Sequence, residues 1–273
     1  FWNIFFFNEI TMNFKKKSIC ICADDYGITH NVNKSILELA KKKRISATSC
    51  LVNSSDFNKD FTKIRKLRKE IDIGLHLDFT FKPNFKKNFL INIDKEINLQ
   101  INKFEKKMGF LPDFIDGHHH VHQLPFIRNK LIRIIKKKYG KKNNNLWFRV
   151  TSDRYKNIIV RNESFFKSLF LTYLGNSFKK VLIKNKFRFN ESFSGIYNFK
   201  TNNFKNKFLK FLLNIKNGHL IMVHPGVSDE KLISLDKVTS AREKELKFLK
   251  SNDFKKILKF KNIKVVKLSD YIK

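Results

Sequence analysis

Asp116-Gly117-His118-His119-His120-Val121-His122 places four of the chain's eight histidines within five residues, just behind an acidic side chain. Imidazoles crowded this tightly repel one another when protonated, so neutral rings are expected, and neutral rings are the form that binds a divalent metal. If the segment runs extended, its side chains alternate, with His118, His120 and His122 on one face and His119 on the other. One or two would then hold metal and the rest would line a pocket. A chance polar loop is the alternative for this segment taken alone. Asp24-Asp25 is the second signal. Adjacent carboxylates repel unless a cation or a proton sits between them, although a turn or a helix cap also accounts for such a pair. His76 and His224 complete the set, each of which alone could be a hydrogen-bonded core histidine.

Each of these groups follows a stretch with strand character. Residues 18–23 form a short apolar run that ends at Asp24-Asp25-Tyr26-Gly27, and 31–43 follow as an amphipathic helix with Val32, Ile36, Leu39 and Ala40 on one face. Residues 47–52 read as a second strand, 60–70 as a helix with Phe61, Ile64 and Leu67 inward, and 71–78 as a third strand carrying His76 near its end. A polar loop at 79–91 is a candidate lid, and a helical pattern at 93–108 closes at Gly109. The strand at 112–116 leads into the histidines, the helix at 125–138 follows, and the strand at 146–150 bears Arg149. The strongly apolar helix at 163–183 is expected to be buried or to face a second copy, and Ser192-Phe193-Ser194-Gly195 reads as strand plus turn lining the pocket. A helix at 204–215, a strand at 218–226 ending in His224-Pro225-Gly226, helices at 240–250 and 251–260, and a strand at 263–268 complete the pattern. This β-α rhythm predicts an α/β fold, in which the C-terminal ends of strands carry the chemistry.

The 57 Lys plus Arg outnumber the 24 Asp plus Glu, leaving a net charge of +33, a balance that suggests nucleic acid or an anionic surface as partner. The lysines are spread in short clusters along the whole length, such as 15–17, 41–44 and 136–138, with little aromatic interleaving. Together with the abundance of Asn, Ile and Phe they fit an AT-rich coding bias, so no specific nucleic-acid partner is expected. Cys20, Cys22 and Cys50 form no Cys-x-x-Cys pair and read as small core residues of a reducing cytoplasm. Residues 1–11 lack the parts of a signal peptide; Met12 is a candidate start, 1–14 read as an extension and 15–273 as one domain. No apolar run approaches the roughly 20 residues of a membrane span.

Asp24-Asp25, His76, the histidine run and His224 thus all lie at or just past expected strand ends. One Asp and two His from three strands leave coordination positions open for water and substrate, as a catalytic metal site requires. With no thiolate ligand, Zn²⁺, Mn²⁺, Co²⁺, Ni²⁺, Fe²⁺ and Mg²⁺ all remain open. The order Ala23-Asp24-Asp25-Tyr26-Gly27, Ser46-Ala47-Thr48-Ser49, Gly74-Leu75-His76-Leu77-Asp78, Asp116-Gly117-His118-His119-His120-Val121-His122 and His224-Pro225-Gly226 resembles the YdjC-like carbohydrate deacetylases, which include chitooligosaccharide and hopanoid-pathway enzymes.

The resemblance implies a single-domain divergent TIM-like (β/α) barrel of the polysaccharide-deacetylase type that hydrolyses an N-acetyl group on an amino sugar. It implies one divalent ion, Mg²⁺ or Zn²⁺ first, held by Asp25, His76 and His118, with Asp24 as general base and His224 as general acid. His120, His122, Arg149 and Gly195 are then expected around the substrate. Three rivals stand beside this reading: a metal-dependent hydrolase of another amide or a phosphoester, a basic nucleic-acid-associated protein, and a family member whose barrel is only a scaffold.

Overall fold

The computed structural model describes residues 15–80, 89–140 and 145–272. β1 (Lys17–Tyr26) is buried from Ile19 onward, so both of its faces are covered, as an unbroken apolar run requires. Ile19, Ile21 and Ala23 pack with Val32, Ile36 and Leu39 of α1 (His30–Lys41), in the layer between sheet and helices. Cys20 and Cys22 belong to a second cluster with Ala47, Phe114, Trp147, Phe193 and Met222, contributed almost wholly by strands; this is the barrel interior. Gly74 makes room there, because a Cβ would lie 2.5 Å from the ring of Phe114, which stacks on Trp147 with centroids 4.3 Å apart.

All strand pairs are parallel. β1 pairs with β2 (Ala47–Cys50), β2 with β3 (Asp72–Leu77), β3 with β4 (Phe114–Gly117), β4 with β5 (Trp147–Phe148) and β5 with β6 (Arg188–Phe189). On its other edge β1 pairs with β8 (His219–Val223), which pairs with β7 (Ser192–Ser194). β6 and β7 are two pieces of one segment, so the chain itself joins the two ends of the curled sheet. Asn190, fully buried between them, clasps that junction: its amide exchanges two hydrogen bonds with the backbone of Val150, at 2.7 and 2.9 Å, and donates to Ser192 O at 3.0 Å. β9 (Ile263–Val265) pairs the N-terminal end of β1.

The crossovers are α2 (Ser55–Arg65), α3 (Phe89–Met108), α4 (Pro125–Tyr139), α5 (Tyr155–Arg161), α6 (Phe165–Lys184), α7 (Phe204–Phe211), α8 (Glu230–Leu235), α9 (Ser240–Lys250) and α10 (Asn252–Phe260). The second helix begins five residues before the 60 expected, because Ser54 caps it, accepting from Phe57 N at 3.0 Å. α7 stops at Phe211, short of 215, and α5 and α8 are short helices that apolar periodicity did not announce. α6 carries apolar side chains on both faces: Leu171, Leu174 and Phe178 are buried, whereas Phe166, Phe170 and Tyr173 are exposed. Most of the candidate lid, 81–88, and the extension 1–14 lie outside the described residues. Among the described residues, no helix is long and apolar enough to cross a membrane.

Candidate metal centre

Because the strands are parallel, everything that follows β1, β3, β4, β5 and β8 collects at one end of the barrel. At the end of β1 the pairing with β2 slips: Ala23 faces Thr48 and Tyr26 faces Cys50, so Asp24 and Asp25 share the space of one partner residue. Asp25 takes the left-handed backbone, at φ 69°. This bulge spoils strict alternation and sends both carboxylates into the site, at a local strain typical of functional positions. Gly27, at φ 109°, completes the turn, where a Cβ would lie 2.8 Å from that of Phe57.

Asp25 Oδ1 lies 3.4 Å from His76 Nε2 and 3.2 Å from His118 Nδ1. The ligand atoms of these three residues all fall within 4.8 Å of one another. His76 is aimed by Asp116, beside it on β4, whose Oδ1 is 2.6 Å from His76 Nδ1. This leaves Nε2 free to turn toward Asp25, the carboxylate-histidine arrangement that orients ligating imidazoles. Burial alone would depress His76, but Asp116, Asp25 and Asp24 outweigh it and raise its pKa to about 10. His118 is raised as well: burial opposes, and Asp25 prevails. The negative potential that holds these protons also attracts a divalent cation that competes with them.

Asp24 lies on the other side. Arg149, wholly buried, grips it with Nη1 to Oδ2 at 2.6 Å and Nη2 to Oδ1 at 2.5 Å, and places Nη2 2.6 Å from Asp116 Oδ2. Burial would raise Asp24, yet Arg149 holds it well below the usual carboxylate range. Cys22, Asp24 and Asp116 also cluster as a metal set would, but the Arg149 guanidinium fills their midst, and burial keeps the Cys22 thiol protonated. The carboxylates of Asp24, Asp25, Asp116 and Asp236 outnumber the guanidiniums of Arg149 and Arg242 that they share, a surplus that favours a proton on His76 or a cation beside Asp25.

His224 follows β8. Its Nε2 is 4.0 Å from Asp24 Oδ2, its ring meets Phe199 edge-on, and its backbone N–H donates to Glu245 Oε2 at 2.5 Å. Burial, stronger than the nearby Asp25 and Asp24, pulls its pKa down to about 4. Glu245 is itself buried and pushed up to about 7 by burial, with Tyr197 donating to it at 2.6 Å.

The extended reading of the histidine run fails beyond Gly117. Residues His118–Gln123 form a 3-10 turn, and His119 and His120 take left-handed backbone at φ 51° and 60°. The rings consequently diverge. His118 reaches Asp25, and His120 lines the cavity against Phe193, depressed by its burial. His122 turns away, its Nε2 donating to Arg149 O at 2.9 Å and its ring packed on Phe178; it is not part of the cavity wall. Arg149 stands behind Asp24 rather than on that wall. Gly195 is also elsewhere, at φ 110°, where a Cβ would lie 2.2 Å from Met222 O: it lets the segment after β7 approach β8.

The cavity over the Asp25, His76, His118 set measures about 260 Å³ and is lined also by Asp24, His119, His120, Lys167, Phe170, Phe199, His224 and Arg242. Its wall carries three buried polar atoms without a protein partner, His120 Nδ1, His224 Nδ1 and Arg242 Nη1. Such orphans suit a polar ligand. In the sequence Asp116 has no role beyond its place in the histidine motif, and neither Arg242 nor Glu245 is singled out. Asp116 was visible beside the histidines, but the other two come from α9 and carry no local signal.

The family described as YdjC-like protein matches residues 18–259, and the chain belongs to that family. A carbohydrate deacetylase of Clostridium beijerinckii is 23% identical over 91% of this chain and 97% of its own length. A chitooligosaccharide deacetylase of Yersinia enterocolitica is 26% identical over 41% of this chain, a match covering 53% of that protein. Among solved structures, an Enterococcus faecalis protein proposed to cleave cellobiose-phosphate superposes with a TM-score of 0.69 at 19% identity, over 94% of this chain and 99% of the other. A family 4 carbohydrate esterase from Streptomyces lividans gives 0.50 at 9% identity, over 91% of each chain. These likenesses carry the barrel fold.

Proposed function

We propose that this YdjC-like chain is a metal-dependent carbohydrate N-deacetylase, converting an N-acetylated amino sugar to the free amine and acetate. The observation that carries this reading is the Asp25, His76, His118 set in a cavity that is also lined by an ionised Asp24 and by His224, the last two 4.0 Å apart. A divalent ion held by the set supplies Lewis acidity, lowering the pKa of water and stabilising negative charge on oxygen. Mg²⁺ and Zn²⁺ are the ions we favour for two imidazoles and a carboxylate.

The protein's own groups manage the protons. Asp24, kept ionised by Arg149, accepts a proton from the attacking water. An amide nitrogen leaves only if protonated, and His224 stands where it can deliver that proton. The two groups are 4.0 Å apart, so the proton that Asp24 takes from the attacking water reaches His224 through one bridging water and passes on to the departing nitrogen, restoring the starting state. Phe170 and Phe199 supply apolar wall for a sugar face or the acetyl methyl. We place the enzyme in a reducing cytoplasm on its three buried free cysteines, and assign any homodimer contact to the exposed Phe166 and Tyr173.

Product analysis tests the reaction class. The purified protein is offered N,N'-diacetylchitobiose, related N-acetylated sugars and phosphoesters, and acetate and phosphate are measured. Acetate with an equal yield of free amine supports deacetylation; phosphate without acetate moves the same site to phosphoester hydrolysis.

A further inference from the structure

Asp25 offers two oxygens, and the site treats them differently. Oδ1 faces His76 and His118, at 3.4 and 3.2 Å. Oδ2 is held by Arg242 Nη2 at 2.6 Å. Arg242 comes from α9, is 1% exposed, and is anchored in turn: Nη2 also meets Asp236 Oδ2 at 2.5 Å, and Nε donates to Val238 O at 2.9 Å. The guanidinium is thus fixed by two neighbours on the cavity wall, and Asp25 is fixed by it.

We infer that Arg242 is a positioning residue that reserves Oδ2 of Asp25, so that the carboxylate offers the metal Oδ1 alone. The chemistry depends on this restraint. A carboxylate free to chelate through both oxygens would occupy a second coordination position, one of those that water and the acetyl oxygen need. Arg suits the task better than Lys, because a planar fork can hold one carboxylate oxygen while its other donors stay anchored. The expected result of removing it runs against a simple supporting role: metal affinity is kept or tightened, while turnover falls.

This inference rests on the metal reading of the site, and the test separates the two. Wild type, R242M, R242K, D236N and D25N are each loaded with Co²⁺. The visible absorption, which weakens as cobalt moves from four or five ligands to six, is recorded with the Co²⁺ dissociation constant, kcat and KM. R242M should bind Co²⁺ at least as well as wild type, with a weaker band and kcat lowered roughly 10- to 100-fold. R242K should recover part of both the band and kcat. D236N, which keeps the guanidinium but loosens its anchor, should move the band the same way by less, and it decides the matter if R242M does not fold. D25N should lose the metal. Wild-type spectra in R242M and D236N, or metal loss in R242M as complete as in D25N, would overturn the role of Arg242 alone. A wild-type chain that takes up no Co²⁺ would overturn the metal site itself.

Discussion

Asp24 and Arg149 meet through a two-pronged contact at 2.6 and 2.5 Å inside the barrel, with neither side chain more than 3% exposed. The pair keeps Asp24 ionised and fixes its direction, while Nη2 of the same guanidinium also holds Asp116.

Breaking this contact from either side should have different consequences. Arg149→Met leaves two buried carboxylates short of their partner, a change of the kind that costs about 3–5 kcal/mol of stability. Asp24→Asn keeps shape and should leave the fold in place, with turnover reduced about 10²- to 10⁴-fold. Chemical denaturation of both variants, beside their kcat, checks this contrast; equal stability loss would mean that Asp24 is a structural partner first.

The metal set and the proton-handling pair should also separate. His76→Ala and His118→Ala should lose bound metal and turnover together. Asp24→Asn and His224→Ala should lose turnover and keep the metal. Metal content by atomic absorption alongside acetate release decides it, and equal metal loss in all four variants contradicts the division of labour.

Asp116 touches no substrate in this account, yet it orients His76 at 2.6 Å. Asp116→Asn should weaken metal binding about 10- to 100-fold, the usual effect of removing the group behind a ligating histidine. A competition titration with a chelator reads this directly. Unchanged affinity would show that His76 needs no such support.

His122 is buried and neutral, its pKa lowered from 6.5 to about 4 by burial. The unfolded chain therefore takes up a proton in this window that the folded chain refuses, so His122 makes stability fall as pH drops from about 6.5 toward 4. Its share approaches about 1.4 kcal/mol per pH unit, or roughly 3 kcal/mol across the window. His219, buried between the hydroxyls of Ser192 and Ser194, acts in the same direction. Unfolding free energies of wild type and His122→Gln between pH 4 and 7 isolate the His122 share. The variant should show the shallower slope; parallel curves would contradict it.

The α/β alternation and the location of its working end could be read from the chain because both depend on local pattern, whereas the barrel form rests on the family resemblance. Apolar runs alternate with amphipathic ones, and Asp25, His76, His118 and His224 each stand at or just past the end of such a run. What could not be read depends on backbone departures and distant partners. Nothing in three consecutive histidines announces that His119 and His120 take left-handed conformations, so the side chains of His118 and His122 part company. Arg242 reaches Asp25 across 217 residues of sequence, and its Ser-Ala-Arg-Glu helix context looks like ordinary solvent-facing helix. Gly195 looked like a pocket residue because it ends a strand, but its lack of a side chain serves contact with Met222. The apolar character of α6 suggests a helix that is buried or faces a second copy; Leu171, Leu174, Phe178 and Leu182 are covered, whereas Phe166, Phe170 and Tyr173 are exposed.

Metal-dependent acetate release tests the central claim most directly. The protein is stripped of metal with a chelator, reloaded with one equivalent of Mg²⁺, Zn²⁺, Mn²⁺, Co²⁺, Ni²⁺ or Fe²⁺, and supplied with a panel of N-acetylated sugars including N,N'-diacetylchitobiose. The stripped protein should release no acetate, and at least one ion should restore release, at one bound ion per chain. Acetate release that persists undiminished without metal, or a protein that binds no divalent ion at all, would contradict it.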